Sequence, residues 1–432
     1  MKTRRFFGGA ALPHHKYTSN SVVVPMGVPA RVTIPMLQHM GAPCEPLVVK
    51  GDAVKAGQLI GDTAEHIAAP VHSSVSGTVE GIFETPHPGG GNTMSVTIRT
   101  DGLQETHESV RPKTYASKEG FLSLVRQSGL VGLGGAGFPT HVKLAPPPGV
   151  RVDCLIINGA ECEPYVTSDE RMMVERAGGI AGGVRLILDA LGIPRARIGV
   201  GDGKPAAIKA VKEAIAGDRR IDLTALRSRY PQGAEKMLIY ACTGRRVPPG
   251  KLPHDVNAVV LNVSSVAAVY DYMTTGMPLI KKIVTVSGSA VKTPANVEVL
   301  IGTPLSEVFG FCGGFKSPAK KIVMGGPMMG VAQFTPDAPV IKNTNAILAF
   351  DERDAAQAGE TSCIRCGRCA DSCPMRLLPL YINGAAVKND AERLKKYRVG
   401  DCIECGACEY DCPAKRRIVQ SARLGKQILL NA

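Results

Sequence analysis

Along the first quarter of the chain, short apolar runs alternate with Gly, Pro and Asp, a pattern of brief strands closed by turns. Val22–Val24 and Val32–Ile34 are predicted strands, and two longer alternating stretches follow, Leu47–Ile60 and Ala68–Ile82. The period then changes. Helical stretches at Lys118–Gln127, Arg171–Leu191 and Ala206–Ala216 alternate with short apolar runs at Cys154–Ile157, Ile198–Val200 and Ala258–Leu261. That alternation predicts an α/β domain around a mostly parallel sheet. Strand-like segments return from Ile283 to Val291 and from Val297 to Pro304, with Phe311–Gly314 and Ile322–Gly330 after them. In the last part, Leu377–Val387 and Ala391–Arg398 are predicted helices, and Ala414–Leu430 reads as a basic amphipathic helix. Such a terminal helix is either solvated or a docking surface for an acidic partner or an anionic membrane. These changes of period divide the chain at 1–112, 113–280, 281–345 and 346–432, with Arg111-Pro112-Lys113 as a linker.

The candidate chemistry is concentrated at the end. Eight of the thirteen cysteines form two copies of one spacing, Cys363, Cys366, Cys369, Cys373 and then Cys402, Cys405, Cys408, Cys412, each followed by proline. This C-x2-C-x2-C-x3-C-P run is that of two-cluster bacterial ferredoxins, in which the fourth cysteine of each run ligates the other cluster. One [4Fe–4S] cluster is therefore assigned to Cys363, Cys366, Cys369 and Cys412, and a second to Cys402, Cys405, Cys408 and Cys373. Three thiolates in one tight loop cap three corners of a cubane, and the proline ends the loop. Gly367 and Gly406 stand at equivalent places, where the backbone must pass close to the sulfides. Zinc favours paired C-x2-C knuckles, and disulfides need an oxidising compartment, so neither suits the spacing. Cys44, Cys154, Cys162, Cys242 and Cys312 are scattered and read as buried thiols, as Met324, Met328 and Met329 read as packing.

Composition narrows the partners. The net charge of +13 favours an acidic partner or surface, and no basic patch is interleaved with aromatics, so nucleic acid is not expected. Gly8-Gly9 and Pro13-His14-His15-Lys16 break any apolar run near the start, and no window approaches 18 apolar residues, so an intracellular chain without a membrane span is expected.

In the second region, Gly132-Leu-Gly-Gly-Ala-Gly-Phe-Pro-Thr140 puts four glycines within six positions, with Lys143 shortly after. Backbone N–H groups there can approach phosphate oxygens, and Lys143 can supply counter-charge. Directly after the Cys154–Ile157 strand comes Asn158-Gly-Ala-Glu-Cys-Glu-Pro-Tyr165, at the carboxyl end where ligands of open α/β sheets bind. Both segments closely resemble the FMN-binding flavoprotein subunit of respiratory complex I, as do Tyr230–Ile239 and Asn262–Val269. The resemblance implies that Gly132, Gly134, Gly135, Gly137 and Lys143 hold the flavin phosphate. Asn158, Glu161, Glu235 and Asn262 then flank FMN, and Glu163 lies on the NADH/NAD+ side. The sequence departs from that pattern at Leu133, His141, Ser264 and Lys236.

The other regions carry resemblances of their own. Leu47–Ile60 and Ala68–Ile82 resemble the two halves of a biotinyl/lipoyl barrel-sandwich, but Gly61–Ile67 between them offers no lysine to modify, so a static domain is expected. Residues 281–345 resemble a β-grasp SLBB module. A barrel-sandwich, a complex-I-flavoprotein-like α/β domain, an SLBB module and a two-cluster ferredoxin-like helical domain, in that order, resemble the RnfC family of ion-translocating electron transport complexes over essentially the whole chain. That resemblance implies a protein peripheral on the cytoplasmic face of the inner membrane, exchanging electrons with NADH through FMN and two [4Fe–4S] clusters. Its partners would be the other Rnf-type subunits, especially a ferredoxin-like iron-sulfur subunit, with ferredoxin reached indirectly. The alternatives are a cobalamin reductase of a diol-utilisation microcompartment, which the first 112 residues argue against, and a non-catalytic electron-transfer subunit without NADH binding.

Overall fold

A computed structural model describes residues 3–432; Met1 and Lys2, at the head of the first expected domain, lie outside the described residues. The barrel-sandwich is built from a four-stranded and a three-stranded sheet. Its longest hairpin pairs Gly77–Pro86 with Asn92–Thr100, and inward-facing Val32, Ile34, Val79, Val96 and Ile98 fill the space between the sheets.

The α/β domain has four parallel strands, in the order Ile221–Leu226, Ala196–Gly201, Cys154–Gly159, Ala258–Asn262. Leu155, Ile157, Ile198, Val200 and Leu261 are buried against helices on the sheet's face, as expected for a sheet covered by crossover helices. The single helix expected over Arg171–Leu191 is two, Ser168–Glu175 and Ala177–Leu191. They break at Arg176, which leaves helical geometry while its guanidinium pairs with Asp271 at 2.6 Å. The second helix lies very close to Val263–Thr275, since a Cβ on Gly183 would sit 2.2 Å from the Val266 carbonyl oxygen.

The third module is a six-stranded sheet extending past the expected boundary at 345, because Ala346–Phe350 is one of its inner strands, paired with Lys281–Ser287 and Lys321–Met324. Its edge comes from far away in sequence. Val23–Pro25, expected among the barrel strands, pairs in parallel with Ala295–Leu300.

The last domain is helical around the cysteine loops. Pro379–Val387 and Ala391–Lys396 start and stop within a few residues of expectation. The basic tail forms Ile418–Leu430, and Ile418, Ser421, Ala422 and Gly425 are buried, so one face of this helix belongs to the domain core. Among the described residues, no helix is long and apolar enough to cross a membrane.

Two devices join the domains. Residues 4–25 run as a strap: Ala10 pairs with Tyr230, Gly9 N–H donates to the Ser372 carbonyl at 2.9 Å, and Lys16 donates to the carbonyls of Glu161 and Glu163, each at 2.9 Å, and of Val166. The second device is Lys342. Its buried ammonium donates to the carbonyls of Pro70 in the barrel and Gly129 in the α/β domain, at 2.5 and 2.7 Å.

Candidate functional site

Where the parallel strands end, a cavity of about 1180 Å3 opens between the α/β domain and the six-stranded module. Gly132, Gly134, Gly135, Lys143, Asn158, Glu161, Glu163, Glu235 and Asn262 all line it. Gly137 does not. With φ +66 it closes the glycine loop through its N–H to the Gly132 carbonyl, and a Cβ there would meet Asn343.

The glycine loop fits an anionic group. Among the described residues, the N–H groups of Gly134, Gly135 and Ala136 have no acceptor in the protein, while all three residues face the cavity. Gly135 has φ +117, with open space where a Cβ would be. Asn343 Nδ2 donates to the Gly135 carbonyl at 2.8 Å and so fixes the loop from the third module. These free donors match the phosphate of FMN. Lys143 reaches the same cavity, where it forms a 2.6 Å ion pair with Glu235.

The acidic residues are bound into the walls. Glu161, at φ +41 and with its side chain buried, accepts from the N–H of Asp169 at 2.6 Å and of Glu170 at 3.2 Å, and pairs with Lys204 at 2.9 Å. Burial disfavours the charge of Lys204, but Glu161 and Glu170 outweigh it and hold the ammonium above its ordinary range. The two oxygens of Glu163 accept from the N–H groups of Met328 and Met329, each at 3.0 Å. Burial nevertheless pushes this carboxyl up from 4.5 to about 7. Asn262 caps its helix through Ser264 N–H and donates to Asp169 at 2.6 Å. Asn158 donates to the Gly233 carbonyl at 2.9 Å.

Sequence reasoning missed Asp169, a buried cavity carboxyl that burial pushes up to about 6. It also accepts from Ser264 Oγ at 2.7 Å, so the serine that departs from the complex I pattern stands against a carboxylate supplied by another helix. Nothing in the Thr167-Ser168-Asp169 start of that helix marks the carboxyl as functional in the sequence. Asn343 and the Gly325–Gly330 loop were missed too, because they reach the cavity from a separate module. Cys162 lies in the cavity wall and its sulfur accepts from Gly233 N–H at 3.3 Å.

Two spaces in the last domain are each ringed by four cysteines. Cys363, Cys366, Cys369 and Cys412 surround one space, walled by Ile364, Leu380 and Ile418. Cys373, Cys402, Cys405 and Cys408 surround another, walled by Leu377, Ile403 and Val419. The loops repeat one geometry: Arg365 and Glu404 have φ +56 and +54, and their N–H groups donate to Cys363 and Cys402 sulfurs at 3.4 Å. Gly367 and Gly406 follow at φ +80 and +79. Among the described residues, no three His, Cys, Asp or Glu side chains are gathered tightly enough for a single metal ion. Four thiols spread around each space suit a cluster, whose iron would hold them as thiolates, at Cys369, Cys373, Cys402, Cys405 and Cys408 against the upward pull of burial.

The second cysteine set lies beside the flavin cavity. Ile403 belongs to both walls, and Tyr230, in the cavity wall, donates its hydroxyl to the Cys405 carbonyl at 2.6 Å. The first set is farther out, with Cys363 and Cys366 exposed.

Family models match the chain in the order expected from its sequence: an RnfC barrel sandwich hybrid domain over residues 4–103, a Nuo51 FMN-binding domain over 125–271, an SLBB domain over 283–332 and a 4Fe-4S dicluster domain over 356–413. A protein of the Na(+)-translocating ferredoxin:NAD(+) oxidoreductase complex of Acetobacterium woodii is 45% identical, covering 100% of this chain and 98% of the relative. Its counterpart in the proton-translocating complex of Clostridium ljungdahlii is 47% identical over 94% of this chain and 90% of its own length. A solved NAD+-reducing [NiFe]-hydrogenase shares the fold alone, with a TM-score of 0.50 and 20% identity over 71% of this chain and 63% of the other. On the full-length match to these relatives and the matching barrel-sandwich model, the chain belongs to the RnfC family of proteins of ion-translocating ferredoxin:NAD(+) oxidoreductase complexes.

Proposed function

We propose that this chain exchanges electrons with NADH and relays them singly to its membrane partners, within a complex that couples NAD and ferredoxin chemistry to Na+ or H+ transport. The observation that carries this reading is Ile403, which walls both the flavin cavity and the second cysteine set. Bound FMN supplies the conversion between two-electron hydride chemistry and the one-electron chemistry of the clusters. The chain's own residues bind and orient. Gly134, Gly135 and Ala136 present free N–H groups to the phosphate, Lys143 adds charge, and Asn158 and Asn262 are held by Gly233 and Asp169 along the flavin's flank. Tyr230 and Ile403 close the cavity on the cluster side.

The exposed Cys363–Cys366 loop is the proposed exit. Ile364 is 69% exposed there and is flanked by Arg365 and Arg368, a surface suited to an acidic ferredoxin-like partner. The cytoplasmic face of the membrane follows from the use of NADH.

The test is anaerobic reconstitution with iron, sulfide and FMN, then NADH, recording visible and EPR spectra. Flavin bleaching with reduced-cluster signals is expected; flavin that stays oxidised while dithionite reduces the clusters would overturn NADH oxidation. A second reading, a conduit without NADH binding, is favoured by one observation: both oxygens of Glu163 are already taken by Met328 and Met329.

A further inference from the structure

Tyr230 sits where three parts of the molecule meet. Its backbone pairs with Ala10 of the strap, through Ala10 N–H to the Tyr230 carbonyl at 2.8 Å and the reverse bond at 3.1 Å. Its ring is 2% exposed and packs with Ala10, Cys405 and Ala407, next to Cys162, Met328 and Ile403. Its hydroxyl is the buried donor to the Cys405 carbonyl. The residue therefore touches the flavin cavity on one side and the backbone of a cysteine in the second cluster set on the other. A buried hydroxyl normally finds some partner. This one is spent on a cluster-ligand residue rather than on its own domain.

We propose that Tyr230 is the positioning residue of the flavin-to-cluster step: its hydroxyl holds the Cys405 loop against the flavin cavity and sets both the rate of transfer to the second cluster and that cluster's potential. The inference rests on the flavin and cluster reading above. In the step, one electron leaves the reduced flavin and one oxidised cluster gains it, flavin protons leave to solvent, and the tyrosine keeps its own. Two effects follow from the hydrogen bond. It fixes the separation of donor and acceptor, and transfer is steep in that distance. It also draws electron density from the peptide of a ligand residue, and such outer contacts tune cluster potentials upward. A tyrosine that merely filled space would need only its ring.

Tyr230→Phe keeps the ring and removes the bond. In the reconstituted full chain, FMN and iron content are measured first. The flavin is then reduced by NADH, and in parallel by light with a sacrificial donor, so that transfer is read even where NADH fails to react. The expected result is unchanged FMN and iron content, with the EPR signal of the second cluster appearing at least about fivefold more slowly after flavin reduction by either route. The midpoint potential of the second cluster falls while that of the first stays. An unchanged rate with unchanged potentials overturns the proposal. So does loss of iron or FMN from the variant, or an equal shift of both clusters, since either marks a role in folding. Failure of NADH but not light to reduce the flavin of the unaltered chain overturns NADH oxidation and leaves the test of Tyr230 running. Absence of FMN from the unaltered chain overturns both.

Discussion

Lys143 donates to Glu235 across the mouth of the flavin cavity at 2.6 Å, both side chains about a third exposed. The lysine that shares the cavity with the glycine loop is thus already paired with a carboxylate, and an incoming phosphate must compete for it. Partly exposed pairs of this kind contribute little to stability, so the pair chiefly governs ligand binding.

Replacing the two partners should therefore have opposite effects. Lys143→Met is expected to weaken FMN binding about tenfold, roughly 1.4 kcal/mol. Glu235→Gln frees the ammonium and tightens FMN by a few-fold. Titration of flavin fluorescence against each apo variant measures both, and equal weakening by the two would show that Glu235 itself contacts the flavin.

Glu163 should make stability fall as pH rises. Its carboxyl is raised from 4.5 to about 7 by burial, so between those values the folded chain holds a proton that the unfolded chain has released. With more protons bound in the folded state, stability decreases with pH across that window. The thermal midpoint should decline from pH 5 to pH 7.5 more steeply in the unaltered chain than in Glu163→Gln. Parallel profiles would assign the slope to another group, of which Asp169, raised to about 6, is the first to examine.

The crossed cysteine sets predict paired losses. Cys412→Ser should remove the cluster of Cys363, Cys366 and Cys369, and Cys373→Ser the cluster of Cys402, Cys405 and Cys408, each lowering iron from about eight to about four per chain. The remaining EPR signal should differ between the variants. Cys412→Ser, which spares the set beside Tyr230, should still accept electrons from the flavin. Loss of the flavin-side signal from Cys412→Ser, with its survival in Cys373→Ser, would show uncrossed ligation.

Lys204 neutralises two buried carboxylates, Glu161 and Glu170, at 2.9 Å each. Lys204→Met leaves Glu170 without its ion-pair partner and Glu161 with only Lys16, 3.9 Å away, and breaking a buried pair from one side costs about 3–5 kcal/mol. Denaturant unfolding should show a loss of that order, and an added Glu170→Gln should recover part of it. Equal stability of single and double variants would sink the pairing.

The cluster sets were legible because ligand spacing is a local property, written within a dozen residues of chain. The glycine loop and the Asn158–Tyr165 turn were legible for the same reason, since each lies in one loop after one strand. What makes the cavity a cavity was not. Asn343, Met328 and Met329 come from the third module and touch the flavin domain only after the chain has folded over it. Glu161 and Glu163 line the cavity, and what the pattern could not show is that their oxygens are held by a helix start and by a neighbouring loop. The strand expected at Val22–Val24 forms one residue later, at Val23–Pro25, with nothing local to reveal that its partner lay at Ala295–Leu300.

The strap also bears on how the protein is made. Residues 4–25 emerge early from the ribosome, yet their partners are Glu161–Val166, Tyr230, Ala295–Leu300 and Ser372, spread over nearly all the chain still to come. Contacts so distant in sequence form late, after the intervening domains have closed on themselves. This segment is accordingly translated before its partners and docks after them. Until it does, the cysteine-rich domain is tethered to the flavin domain without its clasp, which leaves an interval in biogenesis for iron and sulfide to be delivered before the loops are closed against the cavity.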